Sequence, residues 1–127
     1  MSNTVYRLMI GVLLALICSY SAHSGEADVI EVTAKRTDEG VYRFDVTLQH
    51  ADTGWDHYAN RWDVLAPDGT VLGSRKLFHP HVNEQPFTRS LFSVPISADI
   101  PQVIIRAYDS QHQDGGREIT VDLSQID

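Results

Sequence analysis

A chain of 127 residues is long enough for one domain with a modest core, and ten Lys and Arg against seventeen Asp and Glu give it a formal net charge of -7. From residue 25 onward, where the domain is expected to begin, Arg7 is lost and the net charge falls to about -8. This acidic balance argues against nucleic acid and anionic lipid headgroups as partners, because both are polyanions, and it is compatible with cations.

The first 24 residues have the order of a secretory signal peptide. Arg7 precedes an apolar run over residues 8–17, which is too short to span a bilayer comfortably, and a short polar stretch follows. Residues 22–24 (Ala-His-Ser) supply the small residues that a signal peptidase reads, so we expect cleavage before Gly25, with residues 25–27 as a fallback site. The sequence thus predicts a signal peptide at residues 1–24 and a single domain at residues 25–127, periplasmic or secreted, with no membrane contact after cleavage.

The single cysteine, Cys18, follows the apolar run and raises the alternative of a lipoprotein signal. A lipid-modified cysteine normally has a small residue just before it and a leucine two positions further back, whereas these positions are Ile17 and Ala15 here. We therefore favour the soluble form. The mature domain then contains no cysteine and has no disulfide to stabilise it.

Strand-like segments recur along the mature chain at short spacing, with turn signals between them. The clearest is residues 41–49, where Tyr42, Phe44, Val46 and Leu48 alternate with polar residues and so predict one buried face and one wet face. Residues 66–69 (Ala-Pro-Asp-Gly) predict a hairpin turn. Seven strands in about a hundred residues predict an all-β, immunoglobulin/fibronectin-like sandwich. The predicted strands cover residues 29–35, 41–49, 59–65, 70–77, 87–94, 102–108 and 117–123.

The histidines of the mature chain all fall in alternate loops of this prediction. If consecutive strands run alternately up and down, the second, fourth and sixth loops lie at one end of the sandwich. The five histidines in those loops are His50, His57, His79, His81 and His112. They are therefore predicted to meet at one end of the domain, whatever the exact topology.

The sharpest element among them is the tripeptide at residues 79–81 (His-Pro-His). Pro80 pushes His79 toward extended geometry, and residues two apart on an extended chain project to the same side. We predict that His79 and His81 bind one zinc or copper ion, with a third ligand from His57, His112 or His50.

Carboxylates could accept a hydrogen bond from the ring nitrogen that does not bind the metal and so fix the tautomer of each imidazole. The candidates for this role are Asp56, Glu84 and Asp109. The alternative for all these histidines is that they are simply solvated, or bonded to backbone carbonyls. Glu84 and Arg89 are expected to form an ion pair that fixes the fourth loop.

Three functions are compatible with these sequence features. The leading hypothesis is an exported module that binds copper or zinc at its histidine-rich end. The second is a metal-free module that uses the same loops and Trp55 to bind a protein or small ligand. The third is a metal-dependent hydrolase. An enzyme of another kind is not indicated, because the chain has no nucleophile elbow, phosphate-binding loop, dinucleotide fingerprint or cysteine nucleophile.

A resemblance covers about half of the chain. Its residues are 54–58 (Gly-Trp-Asp-His-Tyr), 67–73 (Pro-Asp-Gly-Thr-Val-Leu-Gly) and above all 79–91, with Asp109, Ser110, His112, Gly115 and Gly116 extending it. The block 79–91 reads His-Pro-His-Val-Asn-Glu-Gln-Pro-Phe-Thr-Arg-Ser-Leu. In these segments the chain resembles a family of small exported bacterial proteins of unknown function. The resemblance implies location and fold and brings no activity, and His50 lies outside it.

Overall fold

The computed structural model describes residues 25–126, so the predicted signal peptide, its cleavage position and Cys18 lie outside the described residues. Within the described part the chain is all-β, with seven strands and one short 3-10 helix at Leu123–Gln125. The strands are β1 (Asp28–Asp38), β2 (Val41–Gln49), β3 (Ala59–Leu65), β4 (Val71–Lys76), β5 (Phe87–Pro95), β6 (Gln102–Asp109) and β7 (Ile119–Asp122).

The strands form two antiparallel sheets that pack face to face. One sheet has the order β1-β2-β5 and the other the order β4-β3-β6-β7. The chain therefore crosses between the sheets after β2, β4 and β5. The seven-stranded immunoglobulin/fibronectin-like sandwich that the strand count predicts is confirmed, with β4 hydrogen-bonded to β3 in the larger sheet.

The core lies between the sheets and takes alternate side chains from each. Phe44 and Val46 of β2, Trp62 of β3 and Ile105 of β6 are all fully buried. Val121 of β7 is partly buried and packs against this hydrophobic core. The period-two pattern of β2 thus sets its apolar face against the opposite sheet, as the sequence predicts.

Strands β2 and β3 have the predicted bounds, whereas the first and last strands differ. β1 continues to Asp38 because that residue still pairs with Val41 of β2. β7 begins at Ile119 because Arg117 bonds across to the other sheet: its amide donates to Asp28 Oδ1 at 2.7 Å, and its carbonyl accepts from the Val29 amide at 2.8 Å. The predicted hairpin at residues 66–69 is present, closed by the Gly69 amide donating to the Ala66 carbonyl at 2.9 Å.

Candidate metal centre

Strand register brings four parts of the chain to one end of the sandwich. Asp28 at the start of β1 pairs with Gln49, so the residues before β1 lie beside the loop that follows β2. Ala59 at the start of β3 pairs with Asp109, so that same loop also meets the end of β6. The fourth loop joins them where the His50 amide donates to Gln85 Oε1 at 3.0 Å.

Three histidines converge here on one carboxylate oxygen. Asp109 Oδ2 lies 3.2 Å from His50 Nε2, 3.3 Å from His57 Nε2 and 3.0 Å from His112 Nδ1. His57 Nε2 is in turn 3.3 Å from His50 Nε2 and 3.2 Å from His112 Nδ1. We call these four residues the Asp109 cluster. Among residues 25–126, His50, His57 and Asp109 form a group of three whose ligand atoms are close enough together to hold a metal ion.

Asp109 is fixed so that only one of its oxygens faces the imidazoles. Its side chain is fully buried, and Oδ1 accepts backbone hydrogen bonds from Gln111, at 2.9 Å, and from His112. Burial works against ionisation, but the hydrogen bonds from His112, Gln111 and His57 outweigh it and hold the pKa of Asp109 below its usual value. Oδ2 is therefore presented to the three imidazoles as a carboxylate oxygen.

Asp52 sets the tautomer of His50. Both side chains are buried, and Asp52 Oδ1 lies 2.5 Å from His50 Nδ1. Because this carboxylate also accepts the amides of Ala59 and His81, at 3.1 and 2.7 Å, it acts as the acceptor and His50 Nδ1 donates. The lone pair of a neutral His50 then lies on Nε2, aimed into the Asp109 cluster. A carboxylate behind a ligating imidazole is the usual support of a metal-binding histidine.

The atoms that face the centre of the cluster are nitrogens and oxygens, each of which can bind a metal ion once any proton on it is removed. Besides the imidazoles and Asp109, the Gly25 carbonyl oxygen lies 2.9 Å from His50 Nε2 and 3.2 Å from His57 Nε2. Without a metal, the imidazole protons of His57 and His112 can hydrogen-bond Asp109 Oδ2, and a bound metal ion would replace those protons. The separations suit a metal, because ligands at 2.0–2.1 Å from a tetrahedral zinc lie about 3.3–3.4 Å apart.

His79 and His81 form a separate pair. Their rings lie 4.6 Å apart, and the His81 ring stacks on Phe87 at 3.9 Å and 10°. Arg89 Nη2 donates to His81 Nε2 at 2.9 Å, which occupies one of its two ring nitrogens. Burial, followed by the positive charge of Arg89 and of His79, lowers the pKa of His81. The structure thus brings His57 and His112 together and places His79 and His81 on the far side of Asp52.

The three carboxylates proposed to stand behind the histidines take different positions. Asp109 is at the centre of the cluster, in direct contact with the imidazoles. Glu84 pairs instead with Arg89 at 3.2 Å, which confirms that expected ion pair. Asp56 is exposed, and its backbone carbonyl accepts from the Gln111 side chain at 2.9 Å.

The sequence reasoning missed two features of this site. It named His50 only as an alternative ligand, and it did not select Asp52 at all. The signal was available in residues 50–52 (His-Ala-Asp), where a carboxylate follows a histidine by two residues at the end of the best-defined strand. Residues at that spacing on an extended chain project to the same side.

Comparison with known proteins gives one relative and leaves the family open. The chain is 38% identical over 97 residues to a protein of Halomicrobium mukohataei named "Putative lipoprotein". The match covers 76% of this chain and 47% of the relative, so the chain spans about half the length of the protein that it matches. No protein-family model and no solved structure matches the chain. Within residues 25–126, no helix has the length and apolar character needed to cross a membrane.

Proposed function

We propose that this chain is an exported β-sandwich module that binds a transition metal, copper or zinc, through the Asp109 cluster. The observation that carries the proposal is the mutual distance of 3.2–3.3 Å between His50 Nε2, His57 Nε2 and Asp109 Oδ2. Those separations are close to the edge of a coordination tetrahedron. They join residues from the β2–β3 loop and from the end of β6, so the fold itself brings the ligands together.

The chemistry of the donors supports copper or zinc over hard cations. Imidazole nitrogen suits zinc and copper, whereas calcium and magnesium take oxygen ligands almost alone. The cluster offers three imidazoles against one carboxylate oxygen and one backbone carbonyl. His50 also has the buried carboxylate of Asp52 behind it, which raises the basicity of the ligand and fixes its ring.

Export is supported by the signal-like order of residues 1–24 and by the name of the relative, which is that of a cell-envelope protein. A cysteine-free mature domain is suited to an oxidising compartment, because it has no thiol to oxidise. The proposed location is therefore periplasmic or secreted.

Metal content and metal-dependent melting test the proposal. The mature chain, purified without a histidine tag, should contain copper or zinc by elemental analysis or take up one of them after chelation. Metal at 100 times its Kd should stabilise the fold by about 2.7 kcal/mol, which corresponds to a rise in Tm of roughly 10 °C or more. Protein that takes up neither metal, with an unchanged Tm, would contradict the proposal.

Two double variants identify the ligands. His57→Ala with His112→Ala removes two of the less buried members of the Asp109 cluster, so the fold should persist while the metal-dependent shift is lost. His79→Ala with His81→Ala removes the other pair and is compared with its own metal-free Tm. The four-histidine set predicted from sequence requires both variants to lose the shift. A metal bound by the Asp109 cluster alone requires only the first to lose it.

A metal-free binding module is the second candidate, and one observation favours it. Three large apolar side chains of the second and fourth loops are exposed: Trp55 by 67%, Phe78 by 73% and Val82 by 51%. Exposed apolar surface on loops is typical of a binding site. Trp55→Ser should then abolish binding of a partner, and neither the wild type nor the variant should take up copper or zinc.

A further inference from the structure

Gly25 is placed at the Asp109 cluster as closely as the histidines themselves. Its carbonyl oxygen is 2.9 Å from His50 Nε2 and 3.2 Å from His57 Nε2. The contact follows from strand register, because Asp28 pairs with Gln49 and so holds the residues before β1 beside His50. Gly25 is also the residue before which signal cleavage is expected.

On the basis of the proposed metal centre, we infer that signal cleavage before Gly25 completes that centre: the freed α-amine and the carbonyl oxygen of Gly25 bind the same ion, which is copper(II). This goes beyond the proposed function, because it adds a ligand that exists only after processing and selects one metal. The remaining ligands are His50, His57 and Asp109, with His112 beside them.

Covalent geometry brings the amine within reach. The nitrogen and the carbonyl oxygen of one residue are separated by two backbone atoms, so they lie at most about 3.6 Å apart in any conformation. Once Gly25 is the first residue, rotation about its Cα–C bond can bring both atoms to one side. The two donors then close a five-membered ring with the metal. Because they belong to one residue, the second donor binds at high effective concentration.

A side chain at position 25 would displace the ring of His112. A Cβ built on Gly25 would lie 2.9 Å from His112 Cε1 and 3.2 Å from His112 Nε2. Residue 25 is therefore backbone packed directly against an imidazole of the cluster. Glycine suits both this close approach and the positive φ of residue 25, and its backbone atoms are the groups that face the histidines.

The donor set selects the metal. An amine nitrogen, two imidazole nitrogens and oxygen donors from Gly25 and Asp109 give a mixed nitrogen and oxygen set. For a given set of nitrogen and oxygen ligands, copper(II) binds more tightly than zinc in the usual affinity order of divalent metals. The processed form should therefore gain copper affinity more than zinc affinity.

The test compares the mature chain that begins at Gly25 with the same chain extended by Ser24, which converts the amine into an amide. Copper(II) affinity is measured by competition with a chromogenic chelator. The Gly25 form should bind at least about tenfold more tightly. Both proteins are also prepared with 15N-glycine, and the nitrogen hyperfine pattern of bound copper is recorded by electron paramagnetic resonance. The labelling should change this pattern in the Gly25 form alone.

The outcomes separate the two proposals. Equal copper affinities together with a hyperfine pattern that is insensitive to 15N-glycine would overturn the role of the Gly25 amine and leave the histidine site standing. Binding of neither copper nor zinc by either form would overturn the metal site itself. A tenfold difference without the isotope effect would also count against the amine, because it would show that Ser24 obstructs the site sterically.

Discussion

Asp52 is the residue that joins the two histidine groups. One of its oxygens bonds His50, a member of the Asp109 cluster, and the other accepts the backbone amide of His81. Its side chain is fully buried, so these hydrogen bonds replace all of its contact with water. A single carboxylate thus fixes the ring of one histidine and the backbone of another.

Asp52→Asn should weaken metal binding and lower stability together. An amide has one acceptor oxygen, so its nitrogen must face a donor, either His50 Nδ1 or the His81 amide, and one buried donor loses its partner. Metal affinity should fall about 10- to 100-fold, and the free energy of unfolding by about 1–3 kcal/mol. Asp56→Asn is the control, because Asp56 is exposed. The measurements are metal titration and urea denaturation; equal effects of the two substitutions would contradict this role.

The lowered pKa of His81 predicts how the metal-free protein responds to acid. Above the usual histidine value of 6.5, His81 is neutral in both the folded and the unfolded chain. As pH falls below 6.5, the unfolded state binds the proton first, so stability decreases until the lower pKa of the folded state is reached.

His81→Gln should therefore flatten the decline of the unfolding free energy just below pH 6.5. His79→Gln should flatten it less, because the charge of the neighbouring His79 is only the third of the causes that lower the pKa of His81. Both are measured by urea denaturation in the presence of a chelator. An identical pH dependence in wild type and His81→Gln would show that His81 does not contribute to it.

At the level of residues, the sequence predicts which histidines share an end and does not predict which of them touch. The alternation of strand direction assigns each loop to one end of the sandwich, and it places His57 and His112 correctly at the end that holds Asp109. Contact between His50 and Asp109 depends on the register of β1 with β2 and of β3 with β6, which no single segment encodes. Arg89 is a second example, because its contact with His81 Nε2 could not be read from spacing alone.

At the level of elements, β2 is the strand that organises the core. It pairs with both β1 and β5, and its inward residues are buried along its whole length. Its strict alternation is why its bounds could be predicted from the sequence. The bounds of the edge strands β1 and β7 could not be predicted in this way. Arg117 lies outside β7 because its amide donates to Asp28 of the other sheet, and β1 continues to Asp38, beyond its predicted end.

Phe44→Ala should be one of the most destabilising single substitutions in β2. Phe44 is 0% exposed and lies between the two sheets, so its truncation leaves a cavity and should cost about 3–5 kcal/mol. Phe92→Ala on neighbouring β5 is the control, because Phe92 is 60% exposed. Chemical denaturation measures both. A loss below about 1 kcal/mol for Phe44→Ala would mean that β2 does not face the core.

At the level of the whole molecule, the position of the mature N-terminus decides whether the nitrogen of Gly25 is a free amine or part of a peptide bond. Signal cleavage before Gly25 removes residues 1–24, whereas lipid attachment to Cys18 retains residues 18–24. Because the relative is named as a lipoprotein, these two ways of processing the N-terminus have to be distinguished by experiment.

The intact mass of exported protein should correspond to residues 25–127 without an adduct. The physical reason is the short apolar run followed by small residues at 22–24, combined with Ile17 and Ala15 where a lipoprotein signal needs other residues. Mass spectrometry of material recovered from the envelope and from the medium measures it. A diacylglyceryl adduct on Cys18 would contradict the prediction. A Cys18→Ser variant is the control, since its mature mass should be unchanged.

The spacing of the cluster along the chain has a consequence for the order of events during biogenesis. His50 and Asp109 are 59 residues apart in sequence and 3.2 Å apart in space. In an extended chain that separation spans up to roughly 200 Å. A chain threaded through a membrane in extended form has no such site, and the ligands meet only when β6 has docked against β3. If the chain is exported unfolded and binds a metal there, as proposed, the metal comes from the compartment in which the chain folds and not from the one in which it is made.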